Sequence, residues 1–258
     1  VPTPTPFTYT VQRGDTLLRI AEKFGVSLDA LQAANPQVSP NAMPVGTVLN
    51  IPSSPANASG EETPLPAPLT VQQVQCFADL AQGMWCFVLV HNDFADFMEN
   101  ISAQVTLLNE KGQTVATQTA FLPLNILPPG MSLPLVTYFA APIAGEVQAR
   151  AQALTAIRLL PGDERYLPAT LGNVLVEVDS SGRAARVSGE ILLPEKSKAA
   201  TQVWVAAVAY DENGRVVGIR RWETDSGISP GGRLPFSLTV ASLGGVVNRV
   251  EVAVEARP

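Results

Sequence analysis

The chain holds a single histidine, His91, among 258 residues, and that scarcity removes whole classes of chemistry. A zinc peptidase draws several ligands from His and Cys. A Ser-His-Asp triad would rest on this one imidazole, with no G-x-S-x-G elbow to present the serine. A Cys-His peptidase would have to join His91 to Cys76 or Cys86, and the motif context of such enzymes is missing. Cysteine is almost as rare. The two residues flank "FADLAQGMW", a strand-turn-strand pattern that sets them opposite each other. They read as a cross-strand disulfide in an oxidising compartment or as two buried thiols. Charge is also thin, at 16% charged residues with a net −6 and no basic stripe, which excludes a nucleic-acid surface. No apolar run reaches about eighteen residues, so no membrane span is expected within this chain. The opening "VPTPTPFT" has neither the charged start nor the apolar core of a secretory signal, and suits a stalk or the region after a removed signal.

Hydrophobic residues, at 46%, are plentiful enough for packed cores. The stretch "PSSPANASGEETPLPAPLT" carries five prolines and almost no large apolar side chain, so residues 53–70 read as a stiff spacer. Residues 8–52 before it form a small domain of their own. After it come short alternating apolar runs punctuated by Gly, Asn, Asp and Pro, the pattern of antiparallel strands. These runs repeat. "NEKGQTV" aligns with "DENGRVV", placing Gly112 against Gly214, and "LPPGMSLPL" with "ISPGGRLPF", placing Pro129 against Pro230 and Pro134 against Pro235. An offset held at about 100 residues through turn, strand and corner implies two copies of one β-domain. The expected fold is therefore multidomain: a small α+β module, then two all-β immunoglobulin-like sandwiches at 71–160 and 169–258, joined by "PGDERYLP" at 161–168. The closing strands "GEVQARAQAL" and "NRVEVAVEAR" alternate regularly, so each is expected to have one buried and one wet face. Val178 and Ser188 stand near the places equivalent to Cys76 and Cys86, which confines any disulfide to the first copy.

Little else suggests chemistry. The acids gather in turns (Asp93 and Asp96, Glu110, Asp211 and Glu212, Asp225), where carboxylates bond local amides. No twelve-residue calcium loop follows Asp211, and no metal or cofactor is expected. Trp85, Trp204, Tyr210 and Trp222 fall in strand-like sequence and read first as core. Trp222, flanked by charges in "GIRRWETDSG", is the aromatic most suited to an exposed role.

The first module has the order strand, helix, helix, strand. "FTYTVQ" is a strand and "RGD" a turn; Asp15 or Thr16 caps a helix carrying Leu17, Ile20, Ala21 and Phe24 on one face. Gly25 ends that helix and Ser27 caps a second, with Leu28, Leu31 and Ala34 inward, closed by Asn35-Pro36. "VGTVLNIP" returns as a strand. The set "YTVQRGDTL", "IAEKFGV", "LQAANP" and "VGTVLNIP" resembles a LysM module over nearly its whole length, with Leu18 where the family often has serine. The resemblance implies binding of N-acetylglucosamine-containing glycan, peptidoglycan or chitin, in a shallow groove. It places Gly14, Asp15, Thr16 and Leu17 on one side and Asn35, Pro36, Gln37 and Val38 on the other. On this reading, replacing Asp15 and Asn35 abolishes binding while the fold survives.

The second copy, through "VAAVAYDENGRVVG" and "SPGGRLPFSL", also resembles extracellular sandwiches of the FxLYD type. Together these features describe a non-catalytic, extracellular, wall-associated protein displaying two sandwiches. The alternative is a structural subunit of a surface layer that assembles, or binds an envelope partner, through sandwich edges.

Overall fold

The computed structural model describes residues 7–11, 16–17, 20–21, 28–38, 43–44, 46–51, 67–143, 145–159 and 162–258. The chain divides into two compact units, Val1–Leu65 and Pro66–Pro258.

In the first unit, β1 (Phe7–Thr10) pairs antiparallel with β2 (Val48–Ile51), Thr8 opposite Asn50. Val11 extends the pairing through its amide to Thr47 O and its carbonyl to Gly46 N. Leu17, Ile20 and Ala21 are helical, and a second helix spans Leu28–Ala33. Helices this short are marginal alone. They hold because Leu17, Ile20, Ala21 and Leu31 bury against Val11, Leu49 and Ile51 in one small core. Phe24, Gly25 and Ser27, on which the end of one helix and the cap of the next were placed, lie outside the described residues.

The second unit is all β. Strands β3 (Thr70–Ala78), β4 (Met84–His91) and β8 (Ser132–Phe139) pair in that order. Strand β5 (Met98–Leu108) pairs with β6 (Thr114–Phe121), β7 (Ile126–Leu127) and β9 (Gln148–Arg158). A single pair, Phe121 with Val136, ties the two groups together. Further on, β10 (Thr170–Val178), β11 (Ala184–Leu192) and β14 (Arg233–Ala241) form one sheet. Strands β13 (Val216–Thr224), β12 (Gln202–Tyr210) and β15 (Arg249–Arg257) form another. The pairing scheme of β3, β4, β8 and β6, β5, β9 thus recurs in the later strands.

Turn chemistry recurs with it. Asp79 Oδ1 accepts the amides of Ala81 and Gly83, Asn109 Oδ1 those of Lys111 and Gln113, and Asp211 Oδ1 those of Asn213 and Arg215. Gly112 and Gly214 both adopt positive φ, 73° and 72°, the conformation only glycine takes without strain. Pro134 and Pro235 are tolerated because their strands pair on one side at those positions. Tyr138 donates its hydroxyl to Asp79 (2.8 Å), which holds the carboxyl below its usual range and raises the phenol.

Cys76 and Cys86 are register partners and their sulfurs are bonded, with Cα atoms 4.1 Å apart. The corresponding pair in the later strands is Val176 with Val187, rather than Val178 and Ser188. The hairpin there closes between Asp179 and Ala184, one residue longer than the Asp79–Gly83 turn, and this shifts the register.

The two strand sets share a buried face. Along β12, Val203, Val205, Ala207 and Ala209 enter the core shared with β11 and β14. The alternate residues Ala206, Val208 and Tyr210 join the core that contains Phe87 and Leu89 of β4. Because successive side chains point to opposite faces, β12 is buried on both. The face of β15 that its alternation suggested would be wet is covered at Ala253 and Glu255, while Arg249 and Glu251 stay open to solvent. Ala253 packs into the first core, and the Glu255 carboxylate is 2% exposed. It accepts the backbone and side-chain nitrogens of Asn125 at 2.6 and 2.8 Å and Arg257 Nε at 2.7 Å. Gln73 completes the seam: its Nε2 donates to Gly214 O and its Oε1 accepts Val216 N.

Candidate functional site

Six of the eight proposed contact residues lie among the described residues; Gly14 and Asp15 lie outside them. Thr16 is exposed at the start of the first helical segment, where its carbonyl accepts Ile20 N at 3.0 Å. Pro36 and Gln37 are exposed in the turn after the second helix, and Val38 is half-buried against the module core. Val38 N closes that turn on Asn35 O at 3.0 Å. Leu17 belongs to the same core that Val38 touches.

Two expected contacts take other roles. The Leu17 side chain is 4% exposed and serves as core, because the helical stripe that carries it faces β1 and β2. Asn35 is 1% exposed, and its amide is fully used inside the module. Nδ2 donates to Leu31 O and Asn50 O, and Oδ1 accepts Asn50 N, each at 2.8 Å. Asn35 thus clamps the helix end to β2. Helix C-termini and strand edges leave orphan polar groups, and a short amide side chain at this junction satisfies three of them. The expectation that Asn35 can be replaced without harm to the fold fails on this geometry. Of the expected contact residues among those described, Thr16, Pro36 and Gln37 are exposed and Val38 partly so.

The family model for "LysM domain" matches residues 9–52. Residues 9–52 are a LysM domain. The sporulation-specific glycosylase YdhD of Bacillus subtilis is 53% identical over 47 residues, covering 18% of this chain and 11% of that protein. The secreted LysM effectors ELP2 of Colletotrichum higginsianum and ECP6 of Passalora fulva are 40% and 42% identical, covering 18% and 20% of this chain. The matches take in 27% and 23% of those two proteins, so this chain spans only a minor part of any of the three relatives. Among solved structures, dimeric latent PorU from Porphyromonas gingivalis aligns over 81% of this chain and 20% of its own, at TM-score 0.24 and 13% identity, a likeness too low to argue from.

Beyond the LysM domain, the structure gathers a group that the sequence does not show. His91, at the end of β4, has Nδ1 2.9 Å from Ser132 Oγ and Nε2 3.7 Å from Asp93 Oδ1. The residue types match a hydrolase triad; the arrangement does not. Ser132 Oγ donates to Gln72 Oε1 at 3.1 Å, Asp93 Oδ2 accepts the Thr70 hydroxyl at 2.6 Å, and 3.7 Å is beyond hydrogen-bond reach. The group pins a strand end.

Proposed function

We propose that this is a non-catalytic protein of the cell envelope. In this reading its LysM domain holds an N-acetylglucosamine-containing glycan, peptidoglycan or chitin, and residues 71–160 and 169–258 are two sandwich copies displayed beyond the 53–70 spacer. The observation that carries it is the LysM match over 9–52 together with exposed Thr16, Pro36 and Gln37. An N-acetyl group offers one donor, one acceptor and a methyl, which suits loop backbone groups beside a small apolar floor. The LysM relatives include a sporulation-specific glycosylase and secreted effectors, which accords with an extracellular setting. The test is retention of the intact chain on purified peptidoglycan and on chitin, with Gln37→Ala reducing it at unchanged module stability. Retention that this substitution leaves unaltered removes the assigned groove.

A second reading, a surface-layer subunit or one with an envelope-protein partner, draws on β10. Among the described residues that strand pairs only with β11, and it exposes Val174, Leu175 and Val178. Such an edge is a template for pairing with another chain. Concentration-dependent growth in solution mass that charged substitutions at Val174 and Val178 abolish would favour it over wall attachment.

A further inference from the structure

Where the two strand sets meet, the surface opens into a groove of about 980 Å³. Its walls bring together Trp85 and Val136 from one set and Trp222 from the other, with Phe121 at the rim. Each indole is backed by a protein ring. Trp85 leans on Tyr138 with centroids 4.8 Å apart, and Trp222 on Phe236 at 6.2 Å. Backing fixes the planes of the two indoles, while Trp85 and Phe121 keep 37% and 59% of their surface exposed. Large aromatics left uncovered on an otherwise well-packed molecule mark a binding surface.

The polar groups narrow the ligand. Arg221 is committed: it pairs with Glu223 at 2.8 Å, lies 4.5 Å over the Trp204 ring and reaches Pro123 O. Its neighbour Arg220 lines the groove, is exposed, and has no hydrogen-bond or carboxylate partner among the described residues. The hydroxyls of Ser237 and Thr239 border the same space. We infer that this groove is a second glycan-binding site, which takes an aminosugar chain carrying a carboxylate on its sugars or on a peptide attached to them. Flat, rigid rings suit the C–H faces of sugar rings, and the bordering hydroxyls suit their hydroxyls. Arg220 supplies a bidentate seat for a carboxylate. The volume sits at the upper end of the range of about 300–1,000 Å³ for ligand sites, room for several sugar units.

The inference rests on the envelope reading for its ligand class, yet its residues are separate from the LysM domain. Two weak sites on one polymer would give the chain an avidity that neither site has alone.

Tryptophan fluorescence separates the two sites, because Trp85, Trp204 and Trp222 all lie in the second unit and the first has none. The full chain is titrated with disaccharide-peptide fragments of peptidoglycan, with chitotetraose and with an extended acidic peptide. The fragments should give a saturable change that survives Gln37→Ala, and Arg220→Glu should weaken it at least about tenfold, the loss of one charge-assisted contact. Trp85→Ala, at a partly exposed position, should weaken it similarly when read from Trp222. No fluorescence change, in a chain still retained on walls through its LysM domain, overturns this inference and leaves the first reading standing. An unchanged response in Arg220→Glu, or a response to the acidic peptide in place of the glycan, also overturns it.

Discussion

Replacing Asn35 with alanine tests whether this side chain holds the LysM domain together or touches ligand. The side chain makes three buried or part-buried hydrogen bonds, to Leu31 O, Asn50 O and Asn50 N. At about 1 kcal/mol net for each, with a further penalty of about 1 kcal/mol for the carbonyl stranded at the helix end, the loss comes to about 4 kcal/mol. Exposure of Asn50 limits the penalty on the strand side, where water can replace the lost partner. The core, which holds seven buried side chains among the described residues, supplies only about 3–5 kcal/mol in total in a module this small. Asn35→Ala should therefore leave the module largely unfolded at room temperature while the second unit melts as before. Amide hydrogen exchange at Leu31 and Leu49 in the full chain reads the module directly, and calorimetry should show one of two transitions disappear. Retention on peptidoglycan should fall with it, in contrast to Gln37→Ala, which should lower retention and leave exchange unchanged. If Asn35→Ala keeps module protection within about 0.5 kcal/mol of the parent and still loses glycan, the clamp argument is wrong and Asn35 acts on ligand.

The Cys76–Cys86 bond closes a loop with a separation of 10 residues, so reduction or a double serine substitution should destabilise the second unit by about 2–3 kcal/mol in urea titrations. A Cβ at Gly218 would lie 2.1 Å from Ala241 O, a backbone atom that cannot swing aside. Gly218→Ala should therefore cost the second unit about 3 kcal/mol or more, seen as a lowered melting temperature; an unchanged one would refute the close packing of β13 on β14. Glu255→Ala should cost the same unit about 2–3 kcal/mol in urea, since half-buried Arg257 and Asn125 would lose the acceptor on which they converge. Burial raises the Tyr166 phenol to about 12 and also raises that of Tyr210. A raised folded-state pKa means that the stability Tyr166 contributes is full below about pH 10 and lost as pH climbs from there to about 12, and Tyr210 acts in the same direction. Phenolate absorbance should rise late and together with unfolding; ionisation at about pH 10 in the native protein would contradict their burial.

The sequence alone determined what depends on local pattern. The LysM motifs, the glycine turns at Gly112 and Gly214, the proline-glycine corners and the adjacency of Cys76 and Cys86 are each set by a few neighbouring residues with narrow backbone preferences. The strand positions followed for the same reason, since alternation is a property of the chain itself. Tertiary structure decided everything that depends on what a face meets. The regular alternation of β15 promised a wet side, yet Ala253 and Glu255 are covered, because small side chains there and at Ala206 let the other strand set approach. The pattern that signals one buried face cannot report a second sheet arriving on the other. Asn35 looked like a loop residue facing ligand, since an Asn-Pro helix end reads the same whether its amide points out or in. The groove between Trp85 and Trp222 was invisible for the plainest reason. Its walls stand more than eighty residues apart in the chain, and only packing of the two strand sets puts them side by side.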